Sequence, residues 1–167
     1  MNCCVDNVDF DHKHCIVCPL AKQTRIPFPL STSQSDACFH IVHGDVWGPY
    51  RVPTYDGKKY FLTLVDDYSR YTWIFLLNSK SEVIVALTDF FLMMKNVHSA
   101  VIKILRTDSG CEFFKSQVSI LLKSLEILHQ RSCVYTPQQN GIVERKHRSI
   151  LDMARALRFQ ASIPLKY

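Results

Sequence analysis

Apolar runs of two kinds follow one another along the chain, and their spacing predicts its secondary structure. Short runs rich in β-branched and aromatic residues predict strands, whereas longer runs with apolar residues every three or four positions predict helices. The predicted order is three strands, helix, strand, helix, strand and helix, which is typical of an α/β domain with a mixed five-stranded sheet flanked by helices. The predicted strands span 38–46, 59–65, 71–77, 101–105 and 127–131, and the last two helices span 114–125 and 139–159.

The second and third predicted strands are joined by a short turn, which favours an antiparallel hairpin with the first strand as a third member. The run 59–65 is apolar on both faces, as expected of a buried strand. We assign Asp66 and Asp67 to the turn, because aspartate side chains bind nearby backbone groups in such turns.

The first and last predicted helices each carry an apolar stripe. Ser79 and Glu82 fit a capping box at the start of the first helix, in which the hydroxyl binds a helical N–H and the carboxylate reaches back. In the last helix, Glu144 lies about 100° round from the stripe, on an edge that it shares with arginines. The first stripe contains Val83, Ile84, Leu87, Phe90, Phe91 and Met94, and the last contains Val143, Ile150, Ala154 and Leu157.

Composition separates the first 37 residues from the rest. They hold four of the seven cysteines and a Pro- and Ser-rich stretch, so we expect a short irregular segment, 1–37, before an α/β domain, 38–167. An apolar fraction of 47% is sufficient for one core. An odd number of cysteines and no signal sequence indicate a reducing, intracellular compartment. No apolar run reaches 18 residues, so no membrane partner is expected.

Three acidic residues are notable for their positions in this pattern. Asp45 and Asp108 lie at the C-terminal ends of strand-like runs, and Glu144 lies in the first turn of the last helix. If the two strands are parallel neighbours, the three carboxylates converge and offer the oxygen ligands that Mg²⁺ prefers. Two such ions can bind the attacking and leaving oxygens of a phosphoryl transfer. The alternative is that the aspartates cap turns and that Glu144 is an acid favoured by the helix dipole.

The sequence around these residues resembles a known family. The phrases G-D-V-W-G-P, Y-F-L-T-L-V-D-D-Y-S-R-Y-T-W, R-T-D-S-G-C-E-F and Y-T-P-Q-Q-N-G-I-V-E-R-K-H-R-S-I-L-D-M-A-R resemble, in order and spacing, the integrase core of Copia-type retrotransposon Pol polyproteins. The resemblance covers about residues 15–167. It implies a ribonuclease-H-like fold in which Asp45, Asp108 and Glu144 form a catalytic triad that binds two Mg²⁺ or Mn²⁺ ions. It also implies that the protein processes the 3′ ends of element DNA and joins them to target DNA, as a homo-oligomer in the nucleus.

The distribution of charge permits a DNA partner. The formal net charge is +5, and residues 141–167 hold six Lys or Arg against two acids. For the basic residues of the last helix the alternative is a solvated helix face, and for Asn140 it is a helix cap; we favour a cap that also touches DNA. The residues expected to contact DNA are Gln138, Gln139, Asn140, Arg145, Lys146 and Arg148.

The chain departs from the family pattern at several places, two of which bear on the candidate sites. Cys111 stands where the family usually has glycine, which matters if the turn requires a positive φ. Near the N-terminus, His12, His14, Cys15 and Cys18 resemble part of the family's zinc finger. They form either a compact Zn²⁺ site or an orphan half-finger, because zinc sites normally pair two separated half-sites.

Two other functions stay open at this point. One is a catalytically inactive, truncated remnant that only binds nucleic acid through its basic face. The other is a ribonuclease-H-like nuclease that acts on different substrates.

Overall fold

A computed structural model of the chain describes residues 34–132 and 140–164. The N-terminal residues His12, His14, Cys15 and Cys18 lie outside this range, as do Gln138 and Gln139. The strands are β1 Ile41–Trp47, β2 Tyr60–Asp66, β3 Thr72–Leu77, β4 Ile104–Thr107 and β5 Leu128–Arg131. The helices are α1 Val83–His98, α2 Ser116–Ser124 and α3 Gly141–Gln160, and 3₁₀ turns lie at Lys80–Glu82 and Cys111–Phe113.

The strands form one mixed sheet in the order β3-β2-β1-β4-β5. β1, β2 and β3 are antiparallel neighbours, whereas β1, β4 and β5 run parallel. The predicted mixed sheet, the hairpin and its third member are therefore confirmed. Gly44 on β1 pairs with Thr107 at the end of β4. The residues that follow them, Asp45 and Asp108, therefore lie next to each other. This parallel pairing brings together two acids that are far apart in the sequence.

Asp45 lies inside its strand rather than at its end. β1 continues to Trp47, and Asp45 still pairs with Thr63 of β2, so the prediction of a strand ending at Asp45 is wrong. The sequence signal was ambiguous because the next residues, Val46 and Trp47, also favour strands. Asp108 does lie just beyond the end of β4, as predicted. That strand begins only at Ile104, not at residue 101.

Helix α1 covers the sheet with the apolar stripe that its periodicity predicts. Phe90, Leu87 and Met94 are completely or almost completely buried, and Ile84 of the predicted set is only partly buried. Full burial of a side chain of this size contributes about 1.5–3 kcal/mol to folding. The helix therefore anchors the core beneath the hairpin.

The predicted capping box before α1 is wrong. The carboxylate of Glu82 accepts hydrogen bonds from the backbone N–H and the side-chain amide of Asn78, and the Ser79 hydroxyl bonds to Ser81 instead of a helical N–H. The first turn, Lys80–Glu82, is a 3₁₀ turn, which moves the orphan N–H groups away from the positions that a capping box requires.

Helix α3 packs against β1 and β2, and its buried residues, Gly141, Val143 and His147, all lie in its first half. Val143 is completely buried and Ile150 partly buried, as predicted, but Ala154 and Leu157 are exposed, so the predicted core stripe is wrong beyond Ile150. The second half of α3 instead borders a groove of about 570 Å³, which also includes Ile74. None of the helices in the described part of the chain has the length and apolarity to cross a membrane.

Candidate active site

Asp45 lies on the central strand and is mostly buried, with a side chain 17% exposed. Its Oδ1 accepts a hydrogen bond of 2.8 Å from the backbone N–H of Val46. Burial is the main cause that raises the pKa of Asp45 from its ordinary value to about 7. The charge of Asp108 raises this pKa further, with smaller effects from Glu144 and Glu112, and the Val46 hydrogen bond opposes them. Asp45 therefore lies within electrostatic reach of three other carboxylates.

Asp108 occupies the loop that follows β4. Its Oδ1 accepts a hydrogen bond of 3.0 Å from the backbone N–H of Gly110. A Cβ atom on Gly110 would lie 2.9 Å from this oxygen and 2.9 Å from Cδ of Glu112. Gly110 has a φ of −60°, so a side chain here is disfavoured by the two nearby carboxylates and not by the backbone angle.

Cys111 does not strain this loop. It begins the 3₁₀ turn Cys111–Phe113 and is not among the residues with positive φ. The concern that a side chain at this position meets a left-handed backbone is therefore unfounded. Phe113, at the end of the turn, is completely buried and anchors the loop in the core.

Glu144 lies in the first turn of α3 and is exposed. Val143 beside it and His147 one turn later are buried, so they fix the helix against the sheet and direct Glu144 to an open edge. Arg145 and Arg148 are exposed on the same part of α3, and Lys146 is partly exposed.

The donor atoms of this region suit a hard divalent cation, but the described residues are not arranged around one. Carboxylate oxygens are the ligands that Mg²⁺ and related ions prefer. Within residues 34–132 and 140–164, no group of three or more His, Cys, Asp or Glu side chains is placed to hold a metal ion. Asp45, Asp108 and Glu144 thus share one region without forming a closed coordination shell.

His147 contacts Asp45, and the sequence did not predict this contact. Its Nδ1 lies 3.5 Å from Oδ2 of Asp45, and its ring meets Phe61 edge-on at a centroid distance of 5.2 Å. Burial lowers the pKa of His147 to about 4. Burial disfavours the charged form of both side chains, so the contact is a polar packing contact and not a salt bridge. His147 follows the core residue Val143 by four positions, and this spacing places both on the same face of the helix. That spacing was the feature of the sequence that could have predicted the burial of His147.

Asn140 is buried at the start of α3. Its amide N–H donates to the carbonyl of Gly44 over 3.2 Å, and its side chain does not cap the helix, so the predicted side-chain cap is wrong. Only 1% of the residue is exposed, which leaves no surface for DNA. Asn140 instead ties the first turn of the helix that carries Glu144 to the strand that carries Asp45.

A second buried polar group supports the same strand. Nε2 of His43 donates to Oδ1 of Asp67 over 3.0 Å, and Asp67 also binds the backbone N–H of Ser35 and the guanidinium of Arg70. Asp66 accepts hydrogen bonds from the N–H and hydroxyl of Ser69, which confirms its assignment to the hairpin turn. The two aspartates therefore have structural partners within the domain.

Comparison with known proteins identifies relatives for this fold and site. The integrase core domain family matches residues 36–137, a range that includes Asp45 and Asp108 and stops before Glu144. The Pol polyprotein of transposon TNT 1-94 from Nicotiana tabacum is 31% identical over 155 residues, which are 93% of this chain and 12% of that protein. The Pol polyprotein of transposon RE2 from Arabidopsis thaliana is 33% identical over 153 residues, which are 92% of this chain and 10% of that protein.

A solved structure shares the fold. A chain of the simian T-cell lymphotropic virus intasome, in complex with PP2A regulatory subunit B56 gamma, superposes with a TM-score of 0.68 at 19% identity. The superposition covers 85% of this chain and 49% of that one, and it confirms the ribonuclease-H-like fold. The chain spans only 10–12% of the length of the Pol polyproteins described above. From its match over residues 36–137 and its similarity to these polyproteins, the chain belongs to the integrase core domain family and is of the Copia retrotransposon type.

Proposed function

We propose that this chain is the catalytic part of an integrase that processes the 3′ ends of element DNA and transfers them to target DNA. The observation that carries the proposal is the parallel pairing of Gly44 with Thr107, which sets Asp45 beside Asp108. Burial, together with the charges of Asp108 and Glu144, raises the pKa of Asp45. Three acids, from β1, the loop after β4 and the start of α3, thus lie close enough to influence one another. Perturbed carboxylates in such a cluster are typical of catalytic sites.

The integrase core domain family generally depends on divalent metal ions. Mg²⁺ or Mn²⁺ held by Asp45, Asp108 and Glu144 would supply charge neutralisation for the attacking and leaving oxygens of the phosphodiester. The fold of this chain holds the three carboxylates in place. β1 and β4 fix the two aspartates, and the buried contacts of Val143 and Asn140 fix the helix that carries Glu144.

The surface beside Glu144 suits a DNA backbone. Arg145, Lys146 and Arg148 follow Glu144 on α3 with at least part of each side chain exposed. Basic side chains there would neutralise phosphates and hold the reacting strand near the carboxylates. Assembly as a homo-oligomer and action in the nucleus belong to the same proposal.

A second candidate is a remnant that binds nucleic acid without catalysing its cleavage. It is favoured by the finding that no metal-ligand group of three is formed among the described residues. It requires only the basic face of α3 and predicts DNA binding that does not change when Asp108 becomes asparagine.

The test is cleavage of labelled duplex DNA that ends in the terminal sequence of the encoding element, with Mn²⁺ present. We expect the unmodified chain to release the terminal nucleotides, and Glu144→Gln to lower the rate by at least about 100-fold, a typical loss when one transition-state-stabilising group is removed. Asp152→Asn, an exposed acid on the same helix, is the matched control and should cleave normally. DNA binding without cleavage by the unmodified chain would establish the second candidate instead, and cleavage that Glu144→Gln leaves intact would reject the triad.

A further inference from the structure

A fourth carboxylate, Glu112, lies beside Asp108 and has its own partner. Only 4% of Glu112 is exposed, and its Oε1 accepts a hydrogen bond of 2.9 Å from Nζ of Lys80. The two residues are 32 positions apart. Lys80 begins the 3₁₀ turn before α1, and Glu112 lies in the 3₁₀ turn after Asp108. The ion pair therefore joins the Asp108 loop to the helix that anchors the core.

Glu112 also packs against the peptide that binds Asp108. Gly110 donates its N–H to Asp108, and the space where a Gly110 side chain would begin is flanked by Oδ1 of Asp108 and the carboxyl carbon of Glu112. Oδ1 of Asp108 and Cδ of Glu112 each lie 2.9 Å from that point. The two atoms are therefore separated by at most twice this distance. Two carboxylates this close repel each other unless one of them is neutralised.

Lys80 neutralises Glu112 through this ion pair, and the charge of Asp108 also reaches its ammonium group. Its side chain is 44% exposed, and it makes its hydrogen bond to a nearly buried acid. A nearly buried acid that loses its cationic partner moves or takes up a proton, because an uncompensated buried charge is costly. Movement of Glu112 would displace Gly110 and, with it, the hydrogen bond that orients Asp108.

We propose that Lys80 and Glu112 are a positioning pair for Asp108: Lys80 holds Glu112 against Gly110, and this packing fixes the Asp108 carboxylate for metal binding. The pair touches neither metal nor DNA in this role. The inference rests on the proposed function for the metal, whereas the positioning of the loop stands on the contacts alone.

Binding of Mn²⁺ to Lys80→Met, measured by isothermal titration calorimetry, separates positioning from simple electrostatics. Removal of a positive charge near a cation site tightens binding if geometry is unchanged, whereas loss of positioning weakens it. We expect affinity about 10-fold weaker in Lys80→Met, the lower end of the loss seen when a supporting partner of a metal ligand is removed. Lys80→Arg keeps the ion pair and should restore most of the affinity. Tighter or unchanged binding by Lys80→Met would overturn the proposal.

Hydrogen–deuterium exchange of residues 108–113, without metal, tests the positioning directly. We expect faster exchange in Lys80→Met and in Glu112→Ala, and near-normal exchange in Glu112→Gln, whose amide oxygen still accepts from Lys80. Arg155→Met, which breaks the exposed pair with Asp152 on α3, is the control and should leave this segment unchanged. Equal exchange in all variants would reject the positioning role. A different result would reject the proposed function alone. In that case neither the unmodified chain nor Asp108→Asn binds Mn²⁺, while the differences in exchange rate between the variants are still observed.

Discussion

Replacement of Asp45 by asparagine should stabilise the domain at alkaline pH. The carboxylate of Asp45 is mostly buried and lies near three other acids, so its ionised form is disfavoured in the folded state. Asparagine has nearly the same shape, keeps an oxygen for the Val46 N–H, and has no charge to bury. The variant therefore removes an electrostatic cost and little packing.

The magnitude follows from the pKa. A rise from the ordinary value of 3.8 to about 7 corresponds to about 4 kcal/mol, because each pKa unit is worth about 1.4 kcal/mol. The folded state holds its proton up to about pH 7, whereas the unfolded state loses it near pH 4. The contribution of Asp45 to the free energy of unfolding therefore falls as the pH rises between these values. The advantage of Asp45→Asn should be near zero at pH 4 and reach about 4 kcal/mol at pH 8.

Urea denaturation in the presence of a chelator, at pH 4.5, 6 and 8, measures this difference. Asp89→Asn, at an exposed position on α1, is the matched control and should show no pH-dependent gain. An advantage of Asp45→Asn that is constant with pH, or that grows as the pH falls, would refute the reasoning.

Three further substitutions test the site. Gly110→Ala should weaken Mn²⁺ binding, because the new methyl group displaces the Asp108 carboxylate, whereas Gly57→Ala, at a φ of +86°, should cost about 1 kcal/mol of stability and leave Mn²⁺ affinity unchanged in the same titration. His147→Ala should lower the free energy of unfolding by about 2 kcal/mol, measured by urea denaturation, because it leaves a cavity beside Asp45; no loss would place the ring outside the core. Arg148→Ala should weaken DNA binding for all sequences and reduce the slope of log affinity against log salt by about 1; an unchanged slope in fluorescence anisotropy would remove Arg148 from the interface.

The local pattern of the sequence predicts the strands and the site acids because each depends on neighbouring residues. The apolar run before Asp108 and the short turn at Asp66 and Asp67 define β4 and the hairpin. The parallel pairing of β1 with β4 was only a condition at the level of the sequence, and the structure supplies it. With that pairing, two of the three acids lie side by side.

The sequence did not predict contacts that depend on distant partners. Lys80 and Glu112 belong to different turns, and nothing in either segment indicates that they meet. In α3, the apolar period identifies a face up to Leu157, but it does not show that the second half of this face borders a groove. His147 lies four residues after the core residue Val143, but its contact with Asp45 depends on a distant strand.

Anomalous diffraction from a crystal of the domain soaked in Mn²⁺ tests the central claim most directly. If Asp45, Asp108 and Glu144 form a metal-dependent site, an anomalous peak should lie between the two aspartates, with carboxylate oxygens at about 2.1 Å, the distance expected for a small divalent cation. Asp108→Asn should lose that peak. Crystals in which Mn²⁺ binds elsewhere, with the three carboxylates remaining apart, would contradict the account.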